Sequence, residues 1–375
     1  MKKQFAAGFA LAAIAGAVHA QSSVTLYGTV DAGLMTQTSS AASYSTAARN
    51  AGSIVRYKDG GVYTSLWGMR GADDLGGGYK ATFQLQGSFD TGSGKSGLGD
   101  TGAASSSIFN MAANVGLSGA LGSIKMGRQY APMILALADT DARHAEYFGS
   151  VLTALLGLNS AAGWVGASTN GSIGAVYDSN AIVYTSPAIA GFSASLEYAP
   201  GGVAGSIQGN TRESAVLQYN GYGLKAAAIY YNGHDTNPGA ATVLSGLDNN
   251  RFMSLSALYT RSGFSISGSY SNGRNPSNSG AADFNMITGG LAYAFTPALM
   301  VSSGVYYIKD RNHSANQSTA FSLSTEYSLS KSTLVYADAG YVDNRGVMNQ
   351  ALEYGQPVAP GVGTSAFMVG LRHKF

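Results

Sequence analysis

The chain ends in Leu371-Arg372-His373-Lys374-Phe375, and this ending closes a stretch of alternating side chains. Phe367, Val369 and Leu371 share one face of an extended strand with Phe375, because successive side chains of a β-strand point to opposite sides. Arg372 and Lys374 fall on the other face. One apolar face and one polar face, with an aromatic residue at the very end, is typical of the last strand of a transmembrane β-barrel.

The same alternation fills the segment Tyr79-Lys80-Ala81-Thr82-Phe83-Gln84-Leu85-Gln86-Gly87-Ser88-Phe89. Its odd-numbered positions are apolar or Gly and its even-numbered positions are polar, over about the 9–11 residues that a tilted strand needs to cross a membrane. Similar segments recur along the chain, separated alternately by short turns and by longer polar stretches. We therefore predict an all-β fold, a transmembrane antiparallel β-barrel of about sixteen strands, which is an even number as such barrels require.

The composition agrees with a barrel. Hydrophobic residues make up 45% of the chain and charged residues only 11%, whereas soluble domains average about 25% charged residues. A barrel accounts for this difference because alternate residues of every strand face lipid. The chain contains no cysteine, so an exported protein of this kind must be stabilised by its closed ring of inter-strand hydrogen bonds instead of disulfides.

The N-terminus has the three parts of a secretory leader. Met1-Lys2-Lys3 is basic, Phe5 to Val18 is apolar and small, and Val18-His19-Ala20 supplies small residues at a cleavage site. We predict a signal peptide over residues 1–20 and a mature barrel over residues 21–375. Without the two leader lysines the 22 basic residues become 20, equal to the 20 acidic ones. A neutral mature chain gives no support for nucleic-acid binding.

One connection, residues 131–175, is much longer than the other loops. Loops of this length are uncommon unless they are functional. It carries a charged cluster made of Asp139, Asp141, Arg143 and Glu146, and an apolar stretch, 151–158, follows. We expect this loop to fold into the barrel, pack on the inner wall with its apolar side, and narrow a water-filled lumen.

Four segments, in order and at matching separations, resemble the trimeric general porins of the betaproteobacterial and neisserial type. The segments are Ser23–Gly33, Trp67–Ala81, Val115–Gly119 with Met126–Tyr130, and Gly370–Phe375. The resemblance runs through the whole mature chain. It implies a sixteen-stranded barrel, a homotrimer, a constriction formed by the third loop, and passive diffusion of small hydrophilic solutes and ions through the outer membrane of a Gram-negative bacterium.

The sequence departs from that family at the constriction. Porins of this type often place basic residues on the inner wall opposite acids of the third loop, but here Leu66, Met111 and Tyr177 stand where such cations are expected. The loop acids would then dominate the local field, because acidic walls favour cations and basic walls favour anions. We expect a constriction less basic than is typical, with cation preference or near neutrality and easier passage of neutral or partly apolar solutes.

Strand parity assigns further charges to the lumen. With the apolar neighbours facing outward, Arg70, Lys80 and Lys125 point inward, so we predict that they line the pore together with the charges of the long loop. The same parity places Arg128 on the outer face. A bare arginine facing lipid costs about 2–4 kcal/mol at the bilayer midplane. We therefore hypothesise that Arg128 lies in the trimer interface and pairs with an acid of its own or a neighbouring chain.

Two other function classes compete with a porin. An adhesive or structural barrel would use its loops for binding and would have a lumen plugged by side chains, as in barrels of about eight strands. An outer-membrane hydrolase would need a Ser nucleophile with a His base and an orienting group. Among the four mature histidines, His144 has acids nearby, but no Gly-x-Ser-x-Gly motif around it provides a companion serine. We predict that the protein is not an enzyme.

No segment predicts a cofactor or metal site. Asp248-Asn249-Asn250 offers too few ligands for calcium, which takes about six to eight oxygens, and Gly76–Lys80 lacks the spacing of a phosphate-binding loop. The expected partners are small solutes and ions, outer-membrane lipid and lipopolysaccharide, and further copies of the chain. Phe375 is the expected C-terminal signal for the barrel assembly machinery.

Overall fold

The structure is a computed structural model that describes residues 23–97, 107–163, 173–236, 243–278 and 280–375. The predicted signal peptide, residues 1–20, lies outside the described residues and remains a prediction. Among the described residues, no helix has both the length and the apolar character that a membrane-spanning helix needs.

Seventeen β-strands of the described residues form one sheet, and two helices, α1 (Pro132–Asp139) and α2 (Val151–Ala161), follow the sixth strand. The strands are β1 (Ser23–Gln37), β2 (Ile54–Asp59), β3 (Leu66–Gly76), β4 (Tyr79–Ser88), β5 (Ala112–Gly119), β6 (Gly122–Tyr130), β7 (Tyr177–Thr185), β8 (Phe192–Ala199), β9 (Arg212–Gly221), β10 (Leu224–His234), β11 (Asn249–Arg261), β12 (Phe264–Arg274), β13 (Asp283–Ala294), β14 (Leu299–Asp310), β15 (Gln317–Ser328), β16 (Thr333–Arg345) and β17 (Thr364–Lys374).

The sheet closes on itself as an antiparallel barrel. Strand β1 pairs with the last strand, β17, on one side, and with both β2 and β3 on the other. Residues 23–29 of β1 pair with β3, and residues 32–37 pair with β2. Strands β2 and β3 are therefore two pieces of one wall strand, which is interrupted at residues 60–65. Counted as one, they make a sixteen-stranded barrel, and the predicted fold is confirmed.

The seam between the two ends of the chain depends on Gly28. Its N–H donates to the Phe375 carbonyl at 3.0 Å, and the Phe375 N–H donates to the Gly28 carbonyl at 3.1 Å. The Phe375 ring lies over the glycine on the outer face, so closely that a Cβ at position 28 would stand 2.3 Å from its Cζ. The C-terminal aromatic residue therefore packs directly on the first strand.

The short turns follow from local chemistry. Tyr222 and Gly223 join β9 to β10 with φ angles of 53° and 82°, and Ser262 and Gly263 join β11 to β12 with 51° and 81°. Two successive residues with positive φ make a two-residue turn whose twist matches the flanking strands. These hairpins set the register in which apolar side chains such as Leu255 face outward and serines such as Ser254 face inward.

Candidate functional site: the lumen and the third loop

The third loop, residues 131–176 (L3), leaves the wall after β6 and returns to it at β7. Its ends are tied together where the Ala131 N–H donates to the Val176 carbonyl at 3.0 Å. Residues 164–172 lie outside the described part of the chain. All described parts of L3 pack against the inner wall, so the loop lies inside the barrel as predicted.

Helix α1 covers the wall formed by β8, β9 and β10. Pro132 starts the helix, where its missing N–H leaves no hydrogen bond unmade. Met133, Ile134 and Leu137 are buried among the apolar inner side chains of β9 and β10, whereas Leu135 on the opposite side is 54% exposed. Helix α1 therefore uses one apolar face for attachment and presents another apolar side chain to the lumen.

The end of α1 carries the first of the predicted loop charges. The Lys225 ammonium of β10 contacts the Asp139 carboxylate, with 33% and 42% of the two side chains exposed. Asp139 is thus accessible from the lumen, but its charge is offset by a wall lysine that the sequence analysis did not assign. Lys225 shares the inner face of β10 with the buried Ala227 and Ile229.

Beyond α1, residues 140–150 form an elbow that is hydrogen-bonded to one strand after another. The Thr140 hydroxyl donates to the Ser256 hydroxyl of β11 at 2.8 Å, and the Ala142 N–H donates to the Ser267 hydroxyl of β12 at 3.0 Å. Glycine at 149 leaves room for Ser322 of β15, whose hydroxyl donates to the Gly149 carbonyl at 2.5 Å. These contacts fix the course of L3 along the wall.

Arg143 is the centre of the elbow and is completely buried. Its guanidinium lies 2.8 Å from Glu146 Oε2 and 3.5 Å from Asp338 Oδ1 of β16. It also donates to the Ser302 hydroxyl of β14 at 3.0 Å and to the Phe148 carbonyl at 2.6 Å. One arginine thus joins two turns of L3 to two wall strands.

The two elbow acids are buried with it. Burial raises the pKa of Glu146 well above its ordinary value, although Arg143 opposes the shift. Burial also raises the pKa of Asp141, which accepts hydrogen bonds from the Ala145 and Val151 N–H groups at 3.2 and 3.3 Å. The prediction that Asp141, Arg143 and Glu146 line the open pore is therefore wrong. They hold the loop to the wall, and a sequence pattern cannot distinguish these two uses of a charge.

The elbow also contacts the barrel wall at residues 61–62. The Tyr147 and Phe148 N–H groups donate to the carbonyls of Val62 and Gly61, at 3.1 and 3.0 Å, in the segment that interrupts the second wall strand. The Tyr354 N–H, from the last external loop, donates to the Tyr147 carbonyl at 2.8 Å. Helix α2, capped by Ser150 and Thr153, then packs against β13 and β14.

A cavity of about 80 Å³ remains between L3 and the wall. We call it the aromatic notch; its rings are those of Tyr63, Tyr130, Tyr147, Tyr177 and Tyr354, and Leu135 lies beside them. Every lining residue is apolar or aromatic except His144, which is exposed at a left-handed φ of 50°. The described lining of this cavity therefore consists mainly of tyrosines and apolar side chains, and it includes no carboxylate, Arg or Lys.

The three positions that replace the family's cations do not face open water. Leu66 is 7% exposed, Met111 is fully buried, and the Tyr177 ring packs on Tyr130 with ring centroids 4.6 Å apart. The prediction that Leu66 and Met111 line the constriction is wrong, because both side chains are buried. Tyr177 lines the aromatic notch.

Arg128 is on the inner face, not the outer one. A bulge shifts the register of β6 between Gly127, whose φ is 124°, and Gln129, so that the alternation is reversed beyond it. The guanidinium stacks over the Tyr177 ring at 5.4 Å and donates to the Asn110 carbonyl and the Ser179 hydroxyl at 2.6 and 2.7 Å. The parity argument therefore no longer supports a trimer-interface role, and an acid of the same chain, Asp178, lies close enough for its charge to act on Arg128.

At the end of the barrel with the short turns, the lumen opens into a second cavity of about 370 Å³. We call it the basic vestibule; Arg70 and Lys125 supply its charge, and Thr25, Thr82, Gln84 and Asn114 its neutral polar groups. Arg70 lies over the Tyr27 ring at 5.1 Å. Lys80 is exposed further towards the mouth on β4. The described lining of this cavity contains no acid.

Comparison with known proteins agrees with this architecture. A family model described as Gram-negative porin matches residues 7–347. The chain belongs to that family. This porin is 29% identical, over 389 residues that cover all of both chains, to outer membrane porin protein 32 of Delftia acidovorans.

Two solved structures share the fold of this porin. The anion-selective porin from Comamonas acidovorans has a TM-score of 0.77 and 23% identity, covering 95% of this chain and 100% of that one. OmpT of Vibrio cholerae in its trimer form has a TM-score of 0.64 and 14% identity, covering 94% and 99%. With family and fold established, the protein is an outer-membrane porin whose barrel forms a diffusion channel.

Proposed function

We propose that this porin passes small hydrophilic solutes through an aromatic, nearly uncharged constriction and a basic vestibule, with a weak preference for anions. The observation that carries the proposal is the difference in exposure between charges. The acids that were expected to attract cations are buried or paired, whereas Arg70 and Lys125 are accessible from the lumen. A wall of one sign concentrates counter-ions.

The constriction is accordingly less basic than is typical of the family, but the expected cation preference is not part of this proposal. The proposal is tested by the reversal potential of the refolded protein in a planar bilayer under a KCl gradient. We expect a potential on the anion-selective side. A clear cation preference would contradict the proposal, and the absence of any conductance would favour the adhesive barrel instead.

We also propose that the porin assembles as a homotrimer, as the OmpT structure does, and that it has no enzymatic activity. Mass determination in detergent tests the first statement, since a monomer would contradict it. For the second, esterase activity abolished by His144→Ala would contradict it.

We propose that outward side chains such as Leu26 and Leu34 face lipid and lipopolysaccharide. We also propose that Phe375 is the signal for the barrel assembly machinery. Insertion of Phe375→Ala into native membranes tests this role. We expect a lower yield in cells than wild type, with little change in detergent refolding.

A further inference from the structure

The aromatic notch has the surface of a ligand site and not that of a simple water passage. Tyr147 packs between two other tyrosines, with its ring centroid 5.2 Å from that of Tyr63 and 4.6 Å from that of Tyr354, at interplanar angles of 55° and 46°. Tilted rings at these separations are the arrangement that aromatic partners prefer. Tyr147 and Tyr354 are buried, so the accessible aromatic surface of the notch comes from the half-buried Tyr63 and Tyr130.

Leu135 gives a second, independent indication. It is 54% exposed on the lumen side of α1, although the helix buries its larger apolar side chains, such as Met133 and Leu137, against the wall. It lies beside the tyrosines that form the notch. An apolar side chain next to an apolar cavity gains free energy when a solute removes both from water, by about 25 cal/mol per Å² buried.

The polar groups at the notch are hydrogen-bond donors. The Tyr63 and Tyr130 hydroxyls contact one another, and the Tyr177 hydroxyl donates to Tyr130 at 3.3 Å. His144 lies at the same cavity. No described lining residue carries a carboxylate, and the Arg128 guanidinium lies over the ring of Tyr177. The local charge and hydrogen bonding therefore favour a ligand with an anionic acceptor group.

From these contacts we infer that the aromatic notch binds a single-ring aromatic carboxylate during its passage. The inference rests on the proposed channel function and names the class of solute that this constriction retains. The ring packs against the tyrosines and Leu135, and the carboxylate accepts hydrogen bonds from tyrosine hydroxyls or His144. The basic vestibule attracts the same anion without recognising its ring.

The size of the notch is consistent with transit. A closed cavity of about 150 Å³ holds a benzene molecule, and the notch of about 80 Å³ admits only part of a ring while the rest stays in the lumen. Partial insertion gives weak binding. Transport requires this, because a solute must bind well enough to enter and weakly enough to leave.

The test is current block by benzoate, cyclohexanecarboxylate and propionate in a planar bilayer. Benzoate and cyclohexanecarboxylate share their charge and nearly their size, but only benzoate has an aromatic face. We expect benzoate to dwell about fivefold longer than cyclohexanecarboxylate, because aromatic pairing adds to the effect of buried area, and propionate to give no resolved block. Equal dwell times for the two ring compounds would overturn the inference.

Two variants of Leu135 locate the site without disturbing the wall, because the side chain is half exposed. Leu135→Gln keeps a good helix former and should shorten the benzoate dwell time about fivefold, whereas Leu135→Phe should lengthen it. Arg70→Gln is the control in the vestibule, and it should lower the association rate with the dwell time unchanged. If both Leu135 variants block like wild type, the binding site is elsewhere and the inference is wrong.

Different results would contradict the proposed channel function and the proposed aromatic site. Loss of KCl conductance or a cation preference in the wild-type protein would contradict the proposed function. Normal conductance and anion preference, together with no difference among the three carboxylates, would contradict only the aromatic site.

Discussion

Two of the sets of charged side chains inside the barrel differ in what surrounds them. Arg70 and Lys125 of the vestibule line a water-accessible cavity of about 370 Å³, whereas Arg143 of the elbow is fully enclosed by carboxylates, a serine and a carbonyl. A charge in water acts on passing solutes, and a charge that is buried and paired acts on the protein itself. Under the proposed function, the vestibule therefore sets selectivity, whereas the elbow holds L3 in place on the wall.

The largest effect is expected from Arg143→Ala. Removing the guanidinium leaves Glu146 and Asp338 buried without their cation, and breaking a buried pair in this way costs about 3–5 kcal/mol. We expect L3 to leave the wall, so that single-channel conductance and its noise increase and the urea midpoint of the barrel in lipid vesicles falls. Both quantities are measured on the same refolded preparation.

Arg345→Ala is the matched control, because it also removes an arginine paired with an acid. Arg345 lies 2.9 Å from Asp343, but the two side chains are 62% and 39% exposed. Exposed pairs contribute about 0–1 kcal/mol, so the midpoint and conductance should stay close to wild type. If the two variants behaved alike, the distinction between buried and open charges would not hold.

The pH dependence of L3 should have the opposite sign from ordinary acid denaturation. Burial raises the pKa of Glu146 and of Asp141, so the folded state retains protons that the unfolded state has already lost. Stability contributed by these groups is greatest at low pH and decreases as pH rises from the ordinary carboxyl values towards the raised ones. We expect a higher urea midpoint near about pH 5 than near about pH 8.

Glu146→Gln isolates this effect, because glutamine resembles the protonated side chain in shape and carries no charge. The variant should lose much of the pH dependence and should not be less stable than wild type near about pH 8. A wild-type midpoint that falls steadily on acidification over the same range would show that Glu146 is stabilised as a carboxylate, contrary to the direction argued from its burial.

The fold could be predicted from sequence because its causes are local. Alternation at Tyr79–Phe89 and the turn at Tyr222 and Gly223 each involve only neighbouring residues. The burial of the L3 charges could not be predicted, because it depends on contacts between distant parts of the chain. The Ser302 hydroxyl, which accepts a hydrogen bond from Arg143, is 159 residues away in the sequence. Arg128 was assigned to the wrong face for a related reason. A bulge is a relation between two strands, and the alternation within one strand does not reveal it.

The aromatic notch was also missed, although one signal was present. Gly60-Gly61-Val62-Tyr63 interrupts a strand that otherwise alternates, and two adjacent glycines in a strand often mark a bend or a close backbone approach. Here the Gly61 carbonyl accepts the Phe148 N–H, and Tyr63 enters the lumen beside Tyr147. The interruption could therefore have indicated a contact with the loop, but not which loop residues it meets.

A smaller effect is expected from the vestibule. Arg70→Gln with Lys125→Gln removes two open charges and should reduce the anion-to-cation permeability ratio by about twofold per charge, as expected for a unit charge acting across several ångströms of water. The reversal potential under a KCl gradient measures this ratio. Lys331→Gln, in the exposed turn between β15 and β16, is the control and should leave the ratio unchanged. No loss of stability is expected in either variant.

The smallest effect, and the one that separates the two regions in a single protein, comes from salt. The Debye length falls from about 10 Å at 0.1 M to about 3 Å at 1 M ionic strength, which screens charges in water far more than buried pairs. Raising the mean KCl concentration across this range at a fixed gradient should therefore move the wild-type reversal potential towards zero. The difference in urea midpoint between wild type and Arg143→Ala should stay nearly constant, because water and ions do not reach Arg143. A midpoint difference that shrank together with the selectivity would mean that the elbow is open to solvent, and the charges of L3 would then have to be counted among those that solutes meet.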